Sequence, residues 1–384
     1  MKTSPKFDID NWRSHFPILK NYAYLANCSQ APQSDFTRQA ALNFLDSWNC
    51  DGMNWDRWLE EVHLAKTEFA RLIGAVPSEI AVGTSVSELT SLIASCFNFS
   101  GKKRKVVLTE AEFPTVGYVW QAQKKRGAEI RFINIENGEI SLESYQKYVD
   151  LDTIITSICD VYYYNGFKQD LAQIIPVIHE KGSLVYLDAY QGIGTHPIDV
   201  KELDVDFLVS GTLKYLLGTA GIAFLYVKKE LISELEPSVT GWFAQENPFS
   251  FNIRESVLAA TANRFENGTP PIMAAYVARA GMAAINQVGA GAVQEWTEQL
   301  SRRFIRTARE RGLEVASPAQ VERKSPTTAI RVPGDSHQVE VKLREKNVIA
   351  SARSDVIRIA PHFFTTMAEM DYAIDCLAEI VKNR

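Results

Sequence analysis

Lys214 sits in Ser210-Gly211-Thr212-Leu213-Lys214-Tyr215-Leu216-Leu217-Gly218, and upstream of it Asp188 closes the apolar run Leu184-Val185-Tyr186-Leu187. A lysine in an apolar turn and an acid at the carboxyl end of a buried strand are what pyridoxal phosphate (PLP) chemistry requires. The amine condenses with the aldehyde to a Schiff base, and the acid keeps the pyridine nitrogen protonated so that the ring can accept electrons. Flanked by Leu213, Tyr215 and Leu216, the amine is poorly solvated, which lowers its pKa and frees it for attack. Taken alone, the lysine reads as a surface residue and the acid as a solvated loop acid, because lysine is seldom buried. The neighbouring motifs reverse that reading.

Gly83-Thr84-Ser85-Val86-Ser87-Glu88 joins a strand to a helix. Ser85 is an ordinary N-cap there. The same start, at Ser85 and Val86, also presents free N–H groups and the positive end of the helix dipole to a phosphate. Phe113, in Glu112-Phe113-Pro114-Thr115, either packs in the core or stacks on a pyridine ring. Gln191 is either a surface residue or a hydrogen-bond partner for the ring's phenolic oxygen. Arg358, in Ile357-Arg358-Ile359-Ala360-Pro361, puts a cation inside an apolar strand, where an unpaired charge is costly. An internal salt bridge or a bidentate grip on a substrate carboxylate would each resolve that cost.

The elements that must hold these residues alternate from about residue 60 to 230. Helical periodicity at 62–73, 87–97, 116–125, 141–148 and 171–181 is interleaved with strand-like runs at 80–82, 106–108, 130–133, 153–156, 184–187, 207–209 and 222–227. Strands rich in Val and Ile between helices predict an α/β domain with a mostly parallel seven-stranded sheet covered on both faces, the last strand antiparallel. Ligands of such sheets bind beyond the carboxyl ends of the strands. Ser85, Phe113, Asp188 and Lys214 all fall just after strands, so one site can collect them. From about 271 the pattern changes to helices at 272–285 and 293–311, strands at 329–331 and 356–359, and a helix at 368–381. The expected division is an N-terminal arm (1–20), a large domain (21–265) and a smaller C-terminal α+β domain (266–384). The irregular stretch 236–271 is long enough to be functional or an interface.

These residues together resemble the class V aminotransferase family of fold-type I PLP enzymes, most closely its kynureninase-like and cysteine-desulfurase-like members. The resemblance runs from Tyr24-Leu25-Ala26-Asn27 to Arg358. It implies Lys214 and Asp188 as the catalytic pair and Ser85, Val86, Phe113, Gln191, Thr212, Trp242 and Thr269 as further cofactor-binding residues. It also implies Arg358 and Asn27 as substrate-binding residues. Phe113-Pro114-Thr115 is similar to the kynureninase loop whose phenylalanine stacks on the cofactor, and Gly241-Trp242-Phe243 to its tryptophan turn. Gly268-Thr269-Pro270-Pro271 resembles the turn that reaches the phosphate of the partner subunit, which implies a homodimer. Leu213 departs from the pattern, standing where kynureninases have tyrosine and desulfurases histidine, and Gln191 stands where kynureninases have histidine. Residues 348–354 contain no cysteine, which argues against a desulfurase.

The chain has 384 residues, 46% of them hydrophobic, with 41 basic and 46 acidic side chains and a net charge of −5. That charge offers no basic field for nucleic acid. Lys102-Lys103-Arg104-Lys105 reads as a solvated turn. Five scattered cysteines form no zinc spacing or disulfide framework, so neither metal nor structural disulfide is expected. The polar start, Met1 to Trp12, has no secretory h-region, and no apolar run approaches a membrane span, so a cytoplasmic location is expected. The expected activity is that of an aminotransferase-like PLP enzyme acting on a small amino acid through Lys214. A kynureninase-like hydrolase or C–S lyase of the cysteine or selenocysteine type is the alternative. A non-catalytic PLP-binding relative is the third reading.

Overall fold

A computed structural model describes residues 5–382; Met1–Ser4, part of the polar start and of the expected arm, lie outside the described residues. The seven expected strands form one sheet in the order Ile80–Gly83, Ala223–Val227, Phe207–Gly211, Leu184–Asp188, Thr153–Cys159, Lys105–Thr109, Glu129–Ile133. All neighbours pair in parallel except around Ala223–Val227, which is antiparallel to both strands beside it.

Alternation along each strand feeds two cores. Phe207, Val209, Leu225 and Val227 join one cluster with Trp120 and the apolar side of helix Val86–Ser95. Leu208, Phe224 and Tyr226 join the other with Phe69 of helix Trp55–Leu72. There the Phe69 and Phe224 rings stack at 4.8 Å. Helix Ile272–Val288 belongs to this second core through Ala275, Ala278, Met282 and Ile285. Polar caps start the helices: Asn54, Ser85, Ser141 and Asp170 each accept a backbone N–H from the first turn, worth about 1 kcal/mol apiece. The helix expected at 116–125 begins at Pro114, where proline's missing N–H costs nothing, and ends at Ala122. Its remaining residues tighten into the 3₁₀ turn Gln123–Arg126, stopped by Gly127 at φ +97°.

The C-terminal part carries an antiparallel sheet in the order Ser351–Arg353, Val356–Ile359, Thr328–Arg331, Glu314–Val315. Helices Ala290–Glu310 and Met367–Lys382 cover it, with Leu300, Phe304, Ile357, Leu377 and Ile380 in one cluster. Ala23 and Leu25 lie in that same cluster. Strand Ala23–Tyr24 pairs in parallel with Val348–Ile349, and Ala360 N–H donates to Leu25 O at 2.8 Å. A few residues on, Ala31 N–H donates to Leu213 O at 2.8 Å. One short segment thus ties the C-terminal sheet to the lysine turn of the large sheet, and the cavity between them is where the chemistry collects.

Candidate active site

Asp188 is the last residue of its strand, in the middle of the sheet. Its carboxylate accepts the Tyr190 N–H at 2.9 Å. Burial raises its pKa; the Tyr190 N–H and the Lys214 ammonium act against that, and Asp160 adds to it. The acid is therefore short of a cation. Nearby Glu112 is raised further, by burial and then by Asp188, with the Ser157 hydroxyl bond opposing.

Lys214 follows strand Phe207–Gly211 in a tight turn closed by Leu217 N–H to Lys214 O at 3.1 Å and by Gly218 N–H to Thr212 O at 2.8 Å. Leu217 sits at φ +58°, a left-handed conformation that a branched side chain holds only when its surroundings enforce it. Gly281 supplies part of that enforcement: a Cβ there would lie 2.4 Å from Leu216 O, so helix Ile272–Val288 presses directly on the turn. The amine lies 4.1 Å from the Tyr190 ring centroid and 5.6 Å from that of Phe113. Gly211 makes room for Tyr190, since a Cβ there would meet its hydroxyl at 2.2 Å. Burial pulls the Lys214 pKa down to about 8; Asp188 and Cys28 oppose this, while Arg358 and Arg353 add to it.

A cavity of about 380 Å³ joins Ser85, Val86, Phe113, Asp188, Gln191, Lys214 and Arg358. Its size is that of a small-molecule site. Ser85 caps helix Val86–Ser95, whose first N–H groups have no intrahelical acceptor and open on the cavity. Thr84 beside it donates through N–H and hydroxyl to Glu88. Gln191 anchors the N-terminal segment by donating to Cys28 O at 3.0 Å. Arg358 is 1% exposed, yet its guanidinium meets only neutral oxygens: Tyr163 O at 2.7 Å, Ser29 Oγ at 2.8 Å and Ser351 Oγ at 2.7 Å. Its Nε has no partner. Among the described residues no Asp or Glu pairs with it.

Four expected residues are not brought to this cavity. Thr212 is fully buried and its hydroxyl donates to Thr219 O at 3.0 Å. Asn27 is fully buried, donating to Ala360 O at 2.7 Å, so it braces the C-terminal sheet. Trp242 packs among Trp55, Phe243, Phe249 and Phe251. Thr269 is exposed in the turn before helix Ile272–Val288. In turn Ser29, Ser87, Thr115, Tyr163, Tyr190 and Arg353 line the cavity unforeseen. Ser29, Tyr163 and Tyr190 lie in loops and Arg353 in a short edge strand, where no periodicity marks them, while Ser87 and Thr115 sit in the first turns of helices Val86–Ser95 and Pro114–Ala122. Among the described residues no cluster of His, Cys, Asp and Glu could hold a metal ion, and no helix is long and apolar enough to cross a membrane.

The profile of aminotransferase class V matches residues 53–365. The chain belongs to that family. It is 38% identical over 369 residues to the uncharacterized aminotransferase YcbU of Bacillus subtilis, covering 96% of this chain and 97% of that protein. It is 27% identical over 330 residues to the kynureninase of Deinococcus radiodurans, covering 84% and 78%. A cysteine desulfurase from Thermococcus onnurineus superposes with a TM-score of 0.88 at 20% identity, over 100% of both chains. The fold is accordingly that of fold-type I PLP-dependent enzymes, and this class V chain is an enzyme of that kind.

Proposed function

We propose that this class V enzyme binds PLP through Lys214 and acts on a small α-amino acid whose carboxylate Arg358 holds. The observation that carries the reading is Arg358 itself: a guanidinium buried in the Lys214 cavity, hydrogen-bonded only to neutral oxygens and lacking a counter-anion. A bound carboxylate supplies that anion and uses the fork geometry of arginine. The residues present also suit the cofactor. Asp188 is an acid in need of a cation, Phe113 offers an aromatic face, Gln191 reaches the cavity, and the Ser85–Val86 helix start offers unpaired N–H groups to a phosphate.

When bound, PLP supplies an electron sink that weakens the bonds at the substrate Cα. Asp188 holds a proton on the pyridine nitrogen by its charge. Arg358 would fix the carboxylate and so restrict the orientation of the substrate in the cavity. Lys214, poorly solvated and with a pKa near 8, exchanges between amine and ammonium near neutral pH and moves the proton at Cα. Thr269, exposed outside its own chain's cavity, is assigned to the phosphate site of the partner subunit in a homodimer.

Transamination is the favoured outcome, with side-chain cleavage of the kynureninase or C–S lyase kind as the alternative. The absence of cysteine at 348–354 weighs against persulfide chemistry. Adding single amino acids to the PLP-loaded protein and recording its visible spectrum tests the reading, since a true substrate perturbs the band of the lysine-bound cofactor. No response to any α-amino acid contradicts it.

A further inference from the structure

Arg353 is the charge in the cavity that the proposed chemistry leaves without a task. It ends strand Ser351–Arg353, two positions after Ser351, so both side chains leave the same face of the strand. Ser351 lies opposite Arg358 in the register of the antiparallel pair, and its hydroxyl accepts from the Arg358 guanidinium at 2.7 Å. Arg353 therefore stands on the C-terminal sheet beside Arg358, whereas the helix start proposed for the phosphate belongs to the large sheet. It lines the same cavity of about 380 Å³. Its Nε is buried without a hydrogen-bond partner, and among the described residues no Asp or Glu forms an ion pair with it. Both guanidinium charges are close enough to act on Lys214.

The charges lining the cavity are Asp188 against Lys214, Arg353 and Arg358. A pyridinium offsets Asp188, the phosphate is set against the Ser85–Val86 helix start on the large sheet, and one substrate carboxylate offsets Arg358. One guanidinium remains uncompensated in a partly desolvated wall, a costly arrangement unless a ligand completes it. We infer that Arg353 binds a second anionic group on the substrate, so that the substrate class is an α-amino acid with an acidic side chain. This rests on the proposed function, because it takes Lys214 as the cofactor lysine and Arg358 as the grip on the α-carboxylate. The amide of an otherwise identical amino acid cannot replace the acid. It would carry no charge, and its NH₂ would face a group that only donates.

The test compares matched ligands on the PLP-loaded protein: the isosteric pairs L-aspartate with L-asparagine and L-glutamate with L-glutamine by initial rate, and the dicarboxylate glutarate with the monocarboxylate butyrate by calorimetric titration. For the better-fitting chain length the acid is expected to exceed its amide in kcat/KM by about tenfold to a hundredfold, the worth of one charge-assisted pair. Glutarate is expected to bind more tightly than butyrate by a similar factor. Arg353→Gln should remove both preferences, the acid falling to the level of its amide in the same variant, while the cofactor stays on Lys214. The wild-type comparison decides the question even if that variant fails to fold. Equal handling of acids and amides by wild type, or full preference in a folded Arg353→Gln, overturns the inference while the proposed function stands. Failure of the cofactor to attach to Lys214 overturns the reading beneath it.

Discussion

Arg358→Leu separates a ligand-binding arginine from a structural one, and the geometry gives the size of both effects. Wild-type Arg358 is 1% exposed and makes three hydrogen bonds, to Tyr163 O, Ser29 Oγ and Ser351 Oγ. Leucine removes all three. Ser29 and Ser351 keep each other, their hydroxyls being 2.7 Å apart, so the Tyr163 carbonyl bears most of the loss, about 1–3 kcal/mol. Against this, the variant no longer buries a cation that has no counter-anion, which recovers part of a desolvation cost of several kcal/mol. The two nearly cancel, and the stability of the variant should lie within about 2 kcal/mol of wild type. Breaking a buried salt bridge would instead cost about 3–5 kcal/mol. Ligand binding should suffer where stability does not: losing the charge-assisted pair weakens carboxylate binding by about 1.5–3 kcal/mol, or roughly tenfold to a hundredfold. Denaturant unfolding and an amino-acid titration of the same preparation read both quantities. A variant destabilised by about 4 kcal/mol or more, with amino-acid affinity unchanged, would refute the assignment of Arg358 to the substrate carboxylate.

Asp188→Asn keeps the shape and removes the charge. Cofactor should still attach, while turnover falls by about two to four orders of magnitude, and activity within a few-fold of wild type would mean that another group protonates the ring. The pH dependence of cofactor uptake is set by Lys214. Its pKa is lowered to about 8, so the reactive neutral amine gains population as pH rises and is nearly fully formed above pH about 9. Uptake rates in cofactor-free protein should climb through pH 8 and then level off. A rise that continues toward the ordinary lysine value of about 10.4 contradicts the burial argument.

How much of this was legible in the sequence depends on where each residue lies. Asp188 ends and Lys214 follows strands whose Leu, Val, Tyr and Phe runs are buried on both faces, and such runs announce themselves whatever their neighbours. Ser85 was legible because a helix start needs a cap. Arg358 was legible because a cation between Ile357 and Ile359 needs an explanation. Arg353 and Tyr163 were not, because they reach the cavity through contacts between the C-terminal sheet and a loop of the large sheet, which leave no period in the chain. Thr212 and Asn27 are polar and adjacent to the site in sequence, yet each spends its side-chain donor on a backbone carbonyl, a choice fixed by local geometry alone. Trp242 and Thr269 lie in or beside the long irregular stretch, where sequence pattern gives no direction to a side chain. The place of helix Ile272–Val288, pressed on the lysine turn through Gly281, likewise depends on three-dimensional packing.

Lys214 has one rival for the role of cofactor lysine. Lys324 is also buried, and burial drives its pKa lower still, to about 7. If a free amine were sufficient, Lys324 would be labelled. Its amine, however, is committed to Ser301 Oγ at 3.1 Å and Ser325 O at 2.7 Å, beside a void of only about 10 Å³. Lys214 instead faces a cavity of about 380 Å³ that holds an acid and an aromatic ring. Borohydride reduction of the PLP-loaded protein followed by peptide mapping is the most direct measurement. A single pyridoxyl label is expected on Lys214 and none in the Lys214→Ala variant; a label on Lys324, Lys228 or Lys229 would place the cofactor elsewhere.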